Sequence, residues 1–150
     1  MSLPTAPLWA LATHNDETLP ETTDPDREIE YIDIGSVSRD RGVTATHRLT
    51  FGDAPTRARR VVRSGDVVVS TVRTYLRAVA RITAEHDGCI ASTGFAVLRA
   101  RSAVDPRFLG YALVDPVFID TVVAHSVGVS YPAINATDLV RLHVPAGHVP

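Results

Sequence analysis

The sequence predicts an α+β domain: a mostly antiparallel, curved β-sheet with short helices gathered in its C-terminal third. Three observations predict it. Between Glu28 and Leu98 the apolar residues come as short β-branched runs and period-two alternations, punctuated by Gly, Asp and Ser. After Ser102 the pattern changes, and Asp105-Pro106 and Asp115-Pro116 each place a capping carboxylate and a proline at the opening of an apolar segment. Finally, 150 residues with 45% hydrophobic and 21% charged content are enough for one domain to bury its own core.

Taken in order, residues 1–27 are rich in Pro, Thr and acids without a sustained period. They read as an acidic, largely loop segment, with Leu8, Trp9, Leu11 and Ala12 as a short apolar anchor. Glu28 to Val37 is the first strand. A turn at Arg39-Asp-Arg-Gly42 leads to a second strand, Val43 to Leu49, so that 29–49 reads as a hairpin. Phe51 to Arg60 reads as a short helix or turn, with Asp53 as a candidate cap and Pro55 just inside.

Gly65-Asp66 is a turn signal, and Val67-Val68-Val69 after it reads as a strand buried on both faces. From Leu76 to Ile82 the pattern alternates, with Leu76, Ala78, Ala80 and Ile82 on one face, as in a half-buried strand. Cys89 to Leu98 reads as another strand, interrupted at Ser92-Thr-Gly94, where a Gly often marks a bulge or a close backbone approach. Arg107 to Leu113 and Val117 to His125 are the two helices. The stretch from Ser126 to Asn135 is a loop punctuated by Gly128 and Pro132. Asn135 or Thr137 caps a single turn, Leu142 to Val144 closes the sheet, and residues 146–150 are coil.

Charge is unevenly spread. The net charge is −2, which alone argues against a nucleic-acid partner. Residues 1–33, however, carry eight acids against Arg27, a local −7, whereas residues 39–101 carry twelve Arg against five acids, a local +7. A basic middle suits a phosphate-facing surface, and the alternative is that the two segments pair with each other. All fifteen basic residues are Arg, which a GC-rich coding sequence explains as readily as function does. The lone Cys89 excludes an internal disulfide and suits a reducing cytoplasm. No apolar run approaches the roughly 20 residues that span a bilayer, and no secretory leader is visible, so a cytoplasmic protein without a membrane partner is expected.

The residues offer little to catalysis. His14, His47, His86, His125, His143 and His148 form no i, i+4 pair and have no Cys at ligand spacing. Asp120, His125 and Ser126 or Ser130 make a hydrolase triad on paper, but without a Gly-x-Ser-x-Gly elbow. No phosphate-cradling glycine loop is present, and Ser130-Tyr-Pro-Ala133 is only superficially like the Asn/Asp-Pro-Pro-aromatic motif of amino-methyltransferases. What remains is an arginine-rich row with interleaved hydroxyls and an aromatic. Such a row is either a solvated sheet face or a nucleic-acid contact, because Arg forks onto phosphate or guanine while Ser, Thr and Tyr bond phosphates and base edges.

Four blocks carry a resemblance: Glu30-Tyr-Ile-Asp-Ile-Gly-Ser-Val37, the run Arg63–Leu76, Ala91-Ser-Thr-Gly-Phe-Ala-Val-Leu98 and the run Gly128–Leu139. In their order and spacing they resemble a target recognition domain of the specificity (S) subunit of type I restriction-modification systems, and together they cover roughly Trp9 to Val144. The resemblance implies a non-catalytic module over residues 28–145 that recognises one half of a bipartite double-stranded DNA target. Partner modification and restriction subunits then carry out adenine methylation and cleavage. No cofactor is expected on this chain; S-adenosylmethionine, ATP and Mg would belong to the partners. In that family the chain continues from about residue 146 into a conserved spacer helix and a second recognition domain, so docking of modification subunits is expected to be weak in this 150-residue stretch. The alternative is a recognition domain that acts only in protein interaction or has lost DNA binding.

Arg73, Thr74, Tyr75 and Arg77 are the expected DNA contacts, Arg57, Arg59 and Arg60 the expected phosphate contacts, and Ser126, Ser130 and Tyr131 donors on a loop. The competing readings are a solvated face, pairing of Arg57, Arg59 and Arg60 with the acidic segment, and a loop fixed by Gly128 and Pro132. Ser92 and Thr93 are expected to be structural.

Overall fold

The structure, a computed structural model, describes residues 4–146. The first segment is less of a loop than its composition predicts, being ordered up to His14 around Leu8, Leu11 and Ala12 of the predicted apolar anchor. Strand β1 (Thr5–Pro7), a single helical turn α1 (Leu8–Leu11) and strand β2 (Ala12–His14) follow one another directly. The correction has a physical reason. Leu8 and Leu11 are buried, and the amides of Leu8 and Trp9 bond the carbonyls of Leu142 and Val140, so remote partners impose order that local propensity does not. Trp9 itself stays half exposed. Residues 15–27 are mostly turn and loop, as expected.

β3 (Glu28–Ile32) passes through a 3-10 turn at Ile34–Ser36 into a small hairpin of β4 (Val37–Ser38) and β5 (Gly42–Val43). β6 (His47–Thr50) then returns antiparallel to β3, so the predicted 29–49 hairpin holds, with the smaller hairpin nested inside it. Phe51 to Arg57 is turn rather than helix, and Arg59 and Arg60 lie on β7 (Ala58–Val61). β8 (Val67–Ser70) and β9 (Val79–Arg81) follow, joined by a loop in which Leu76 and Arg77 are off the strand. The predicted alternation therefore holds only from Ala78, and Val79 is buried too, so the strand is covered on both faces.

The run Cys89–Leu98 is two strands in two sheets. β10 (Ile90–Ser92) lies in a four-stranded sheet of order β6-β3-β10-β7, and β11 (Phe95–Ala100) in a second four-stranded sheet of order β2-β11-β8-β9. The chain crosses between them at Thr93-Gly94. A Cβ at Gly94 would stand 2.6 Å from Ile34 Cδ1 and 3.1 Å from Val72 Cγ2, so a larger residue at this crossing would make the Ile34 and Val72 side chains shift. The β3–β10 pairing is parallel and the other named pairings are antiparallel. The α+β class holds, with two open sheets in place of one curved sheet.

Both predicted helices form: α2 (Pro106–Val114), capped by the Asp105 carboxylate on the Arg107 amide, and α3 (Pro116–Ala124), capped by Asp115 on the Val117 amide. A single turn, α4 (Ala136–Leu139), is capped by Asn135, and β12 (His143–Pro145) pairs with β1. Most of the coil predicted for 146–150 lies outside the described residues.

Period two then sorts the core into layers. Val67, Val69, Val79, Ala96 and Leu98 face the helices, meeting Leu109, Leu113, Phe118, Ile119 and Val122. Val68, Ala78, Ala80, Phe95 and Val97 face the other sheet, meeting Ile32, Val62 and Ala91. The far side of that sheet is covered by Leu19 and Phe51, packed on Ile29, Tyr31, Ala58 and Val61. Each of the three fully buried valines of β8 contributes roughly 1.5–3 kcal/mol by leaving water, which makes this strand the rigid axis of the fold.

At its N-terminal end β8 is anchored electrostatically. Asp66 is only 1% exposed and receives Arg99 as a two-pronged fork, Nε and Nη2 each at 2.9 Å, together with the Arg63 amide at 2.8 Å. Glu17 joins the cluster: Arg63 donates to it at 2.9 and 3.1 Å, and Arg99 Nη1 stands 2.9 Å away. The hydrogen bond from Arg63, reinforced by Arg99, holds the Glu17 carboxyl down at about 2. Part of the acidic segment does pair with the basic middle, and it does so here.

Candidate nucleic-acid interface

The C-terminal end of β8 is built differently. Past Ser70 the strand pairing ends, and the Thr71 amide and hydroxyl both donate to the Gly94 carbonyl, at 2.8 and 3.0 Å. One 3-10 turn, Thr74–Leu76, follows, bracketed by Arg73 (φ 46°, ψ 52°) and Arg77 (φ 56°, ψ 40°). Both arginines are left-handed, a conformation costing roughly 1–2 kcal/mol for a side chain with Cβ. Outside contacts hold the strained turn in place. The Thr74 amide donates to the Pro132 carbonyl at 3.3 Å, and Arg77 pairs with Asp120 of α3 at 2.6 Å.

The loop after α3 is tied to the same turn. Val127 and Ala133 exchange backbone bonds of 2.8 and 3.0 Å, closing a small hairpin whose bend needs Gly128 at φ 117°. The Ser126 hydroxyl bonds the Val122 carbonyl and shares a 2.7 Å hydrogen bond with the hydroxyl of Thr74. The Ile134 amide donates to the Thr71 carbonyl at 2.9 Å, and Val72 bridges to Ala133. The two loops form one ridge.

Along the ridge the Arg73 guanidinium lies over the Tyr131 ring, 4.9 Å from its centre. Tyr75, Leu76, Ser130 and Tyr131 are exposed, as are Val127 at 80% and Val129 at 102%. Beside it runs a groove of about 540 Å³ lined by Arg73, Val72 and Leu76 from the ridge. Arg57, the Asp33–Gly35 turn and the Ser92–Gly94 crossing complete its lining. Asp33 accepts from the Ser36 hydroxyl at 2.8 Å and stands 3.6 Å from His47 Nε2.

The sequence-predicted residues divide accordingly. Arg73, Tyr75, Ser130 and Tyr131 meet on the ridge, and Arg57 opens onto the groove. Thr74 is buried, and its hydroxyl is engaged by Ser126, itself half buried. Both hydroxyls are engaged in joining the two loops of the ridge. Arg77 is held by Asp120. Arg59 stacks on Phe51 and donates to the Ala58 carbonyl, while Arg60 donates to the Phe95 carbonyl at 3.0 Å and has its pKa lowered by burial. Those two brace β7, whereas Arg57 lines the groove.

Ser92 is buried and accepts from the Gly94 amide, the structural role expected of it, whereas Thr93 is exposed at the groove. Sequence reasoning missed Val127 and Val129. Their one signal is an apolar pair around a glycine in a loop otherwise made of polar and turn residues. The paper triad is not assembled: Asp120 pairs with Arg77, and His125 Nδ1 stands 2.8 Å from the Thr121 carbonyl oxygen. Among the described residues no group of three or more His, Cys, Asp or Glu is placed to hold a metal ion, and no helix is long and apolar enough to cross a membrane.

No family model matches the sequence, and no curated protein matches it. Solved structures do. A chain from a type I R-M system, solved to describe its assembly and conformational transition, is 30% identical with a TM-score of 0.83, covering 97% of this chain and 40% of its own. The HsdS subunit from Thermoanaerobacter tengcongensis is 32% identical with a TM-score of 0.78, covering 93% of this chain and 36% of its own. The type I restriction-modification S subunit from M. genitalium shares the fold at 15% identity, with a TM-score of 0.62 over 96% of this chain and 34% of its own. The chain thus spans about two fifths or less of the length of the subunits it matches. Fold and sequence together bear out the resemblance: this chain has the build of a target recognition domain of a type I restriction-modification specificity subunit.

Proposed function

We propose that this chain is a sequence-specific double-stranded DNA recognition module of a type I restriction-modification system. It reads one half of a bipartite target and so directs adenine methylation and cleavage by partner subunits. The observation that carries the reading is the ridge: in a fold shared with S subunits, two loops are locked together and present Arg73, pre-stacked on Tyr131, beside a groove that holds Arg57.

The chemistry follows from the residue types. A guanidinium fixed in plane by an aromatic loses little freedom on forking onto guanine O6 and N7 or onto a phosphate. Arg57 supplies a phosphate contact, and the hydroxyls of Tyr75 and Ser130 supply further donors. The recognition unit runs from Thr5 through Pro145, wider than 28–145, because β1 and β2 complete its sheets. Methylation, ATP use and their cofactors belong to the modification and restriction subunits, and this module supplies specificity without chemistry of its own.

The test is selection from a randomised duplex library at low salt, followed by affinity measurements on the selected duplex. A single enriched half-site is expected, with log K falling linearly with log salt. Absence of selection, or salt-independent binding, contradicts the proposal. The exposed valines favour a second reading, a protein-interaction module. Capture of a modification subunit without any DNA affinity would support that reading instead.

A further inference from the structure

The apolar tip of the ridge is not explained by phosphate binding. Scattered apolar side chains on a surface are ordinary, but Val127 and Val129 are displayed by built-in constraints. The paired backbone of Val127 and Ala133 closes the loop beneath them, and Gly128 at φ 117° sets the bend that separates them. Valine has few χ1 rotamers, so fixing it on contact forfeits little entropy. The surroundings suit an anion-facing surface: segments 71–77 and 126–133 contain no acid, and of their two arginines Arg77 pairs with Asp120 while Arg73 is exposed on the ridge.

From this geometry, and resting on the DNA reading above, we infer that Val129, with Val127 beside it, contacts the C5-methyl group of a thymine in the major groove of the half-site. The chemistry is specific. In that groove the methyl group is the feature of thymine that an apolar side chain recognises, as a guanidinium recognises guanine. Arg73 and Val129 then read different bases from one rigid ridge.

The experiment uses the duplex selected by this chain from a randomised library. Each thymine is replaced in turn by uracil, which removes only the methyl group. One or two positions are expected to lose about fourfold in affinity, the worth of one buried methyl-sized group. Val129→Ala should lose a similar factor on the thymine duplex and bind thymine and uracil duplexes equally, with an unchanged melting temperature. A selected half-site without thymine, indifference to every uracil, or a Val129→Ala variant that keeps the wild-type thymine-to-uracil ratio overturns the inference. Loss of modification-subunit binding in Val129→Ala, with DNA discrimination intact, also overturns it and makes the tip a protein contact. If selection and the Arg73 dependence persist while uracil has no effect, only this inference fails; if no duplex is selected, the function proposed above fails with it.

Discussion

The two ends of β8 use the same residue types to opposite purposes. At Asp66 the arginines are neutralised: Arg99 and Arg63 converge on Asp66 and Glu17, and the charge cluster ties the N-terminal segment to the sheets. At the other end Arg73 faces outward, supported among the described residues by an aromatic ring and no carboxylate, and the valines beyond it are exposed where those of β8 are buried. The difference teaches that a local charge of +7 says nothing about function until each guanidinium's partner is known. Arg63 and Arg99, on carboxylates, are scaffold, as is Arg59 on Phe51; Arg73, on the exposed ring of Tyr131, is open to a ligand.

The largest expected effect breaks the scaffold end. Asp66→Ala leaves Arg99 without its buried partner and should cost about 3–5 kcal/mol of stability, read as a shifted midpoint in denaturant unfolding. DNA affinity of the molecules that remain folded should be unchanged. Next, Arg73→Ala should cost roughly 1–3 kcal/mol of DNA binding and relax the selected motif. Its stability should stay within about 0.5 kcal/mol. Arg73→Gly sharpens the same contrast: relief of the left-handed strain should raise stability by up to about 1 kcal/mol while DNA binding still falls. A variant that gains stability and loses binding separates the two ends cleanly.

Smaller effects concern pH and salt. Glu17 titrates at about 2 in the folded chain against an ordinary 4.5, so its contribution to stability is complete above about 4.5 and is lost as pH falls toward 2. Glu17→Gln should flatten that part of the stability–pH curve and leave it unchanged near neutrality in slope, though lowered in level. Arg57→Ala should reduce the slope of log K against log salt by about 1, with little change in the selected motif.

Much of the fold was legible because local signals and tertiary demands agree. Val67–Val69 reads as a buried strand and is one, and Asp-Pro twice marks a helix start with its cap and its first residue. The misreadings occur where a distant partner decides. Leu8–Leu11 is ordered by Leu142 and Val140, and Cys89–Leu98 divides between sheets because β10 pairs with β3 and β7 while β11 pairs with β2 and β8. The site was legible in its composition and not in its geometry. Arg73 and Arg77 are alike in sequence, and only α3, which brings Asp120 to one and not the other, distinguishes them. Thr74 and Ser126 read as donors, but they lie 52 positions apart in the chain and the fold brings them face to face in a partly buried bond.

The most direct test of the ridge as the DNA-reading face is a titration of the isotope-labelled chain with its selected duplex, followed by amide chemical shifts. Shifts should concentrate at Arg57, residues 71–77, residues 92–94 and residues 126–133, leaving Glu17, Arg63, Asp66 and Arg99 unmoved. Shifts centred on the Asp66 cluster, or on the outer faces of α2 and α3, would contradict it.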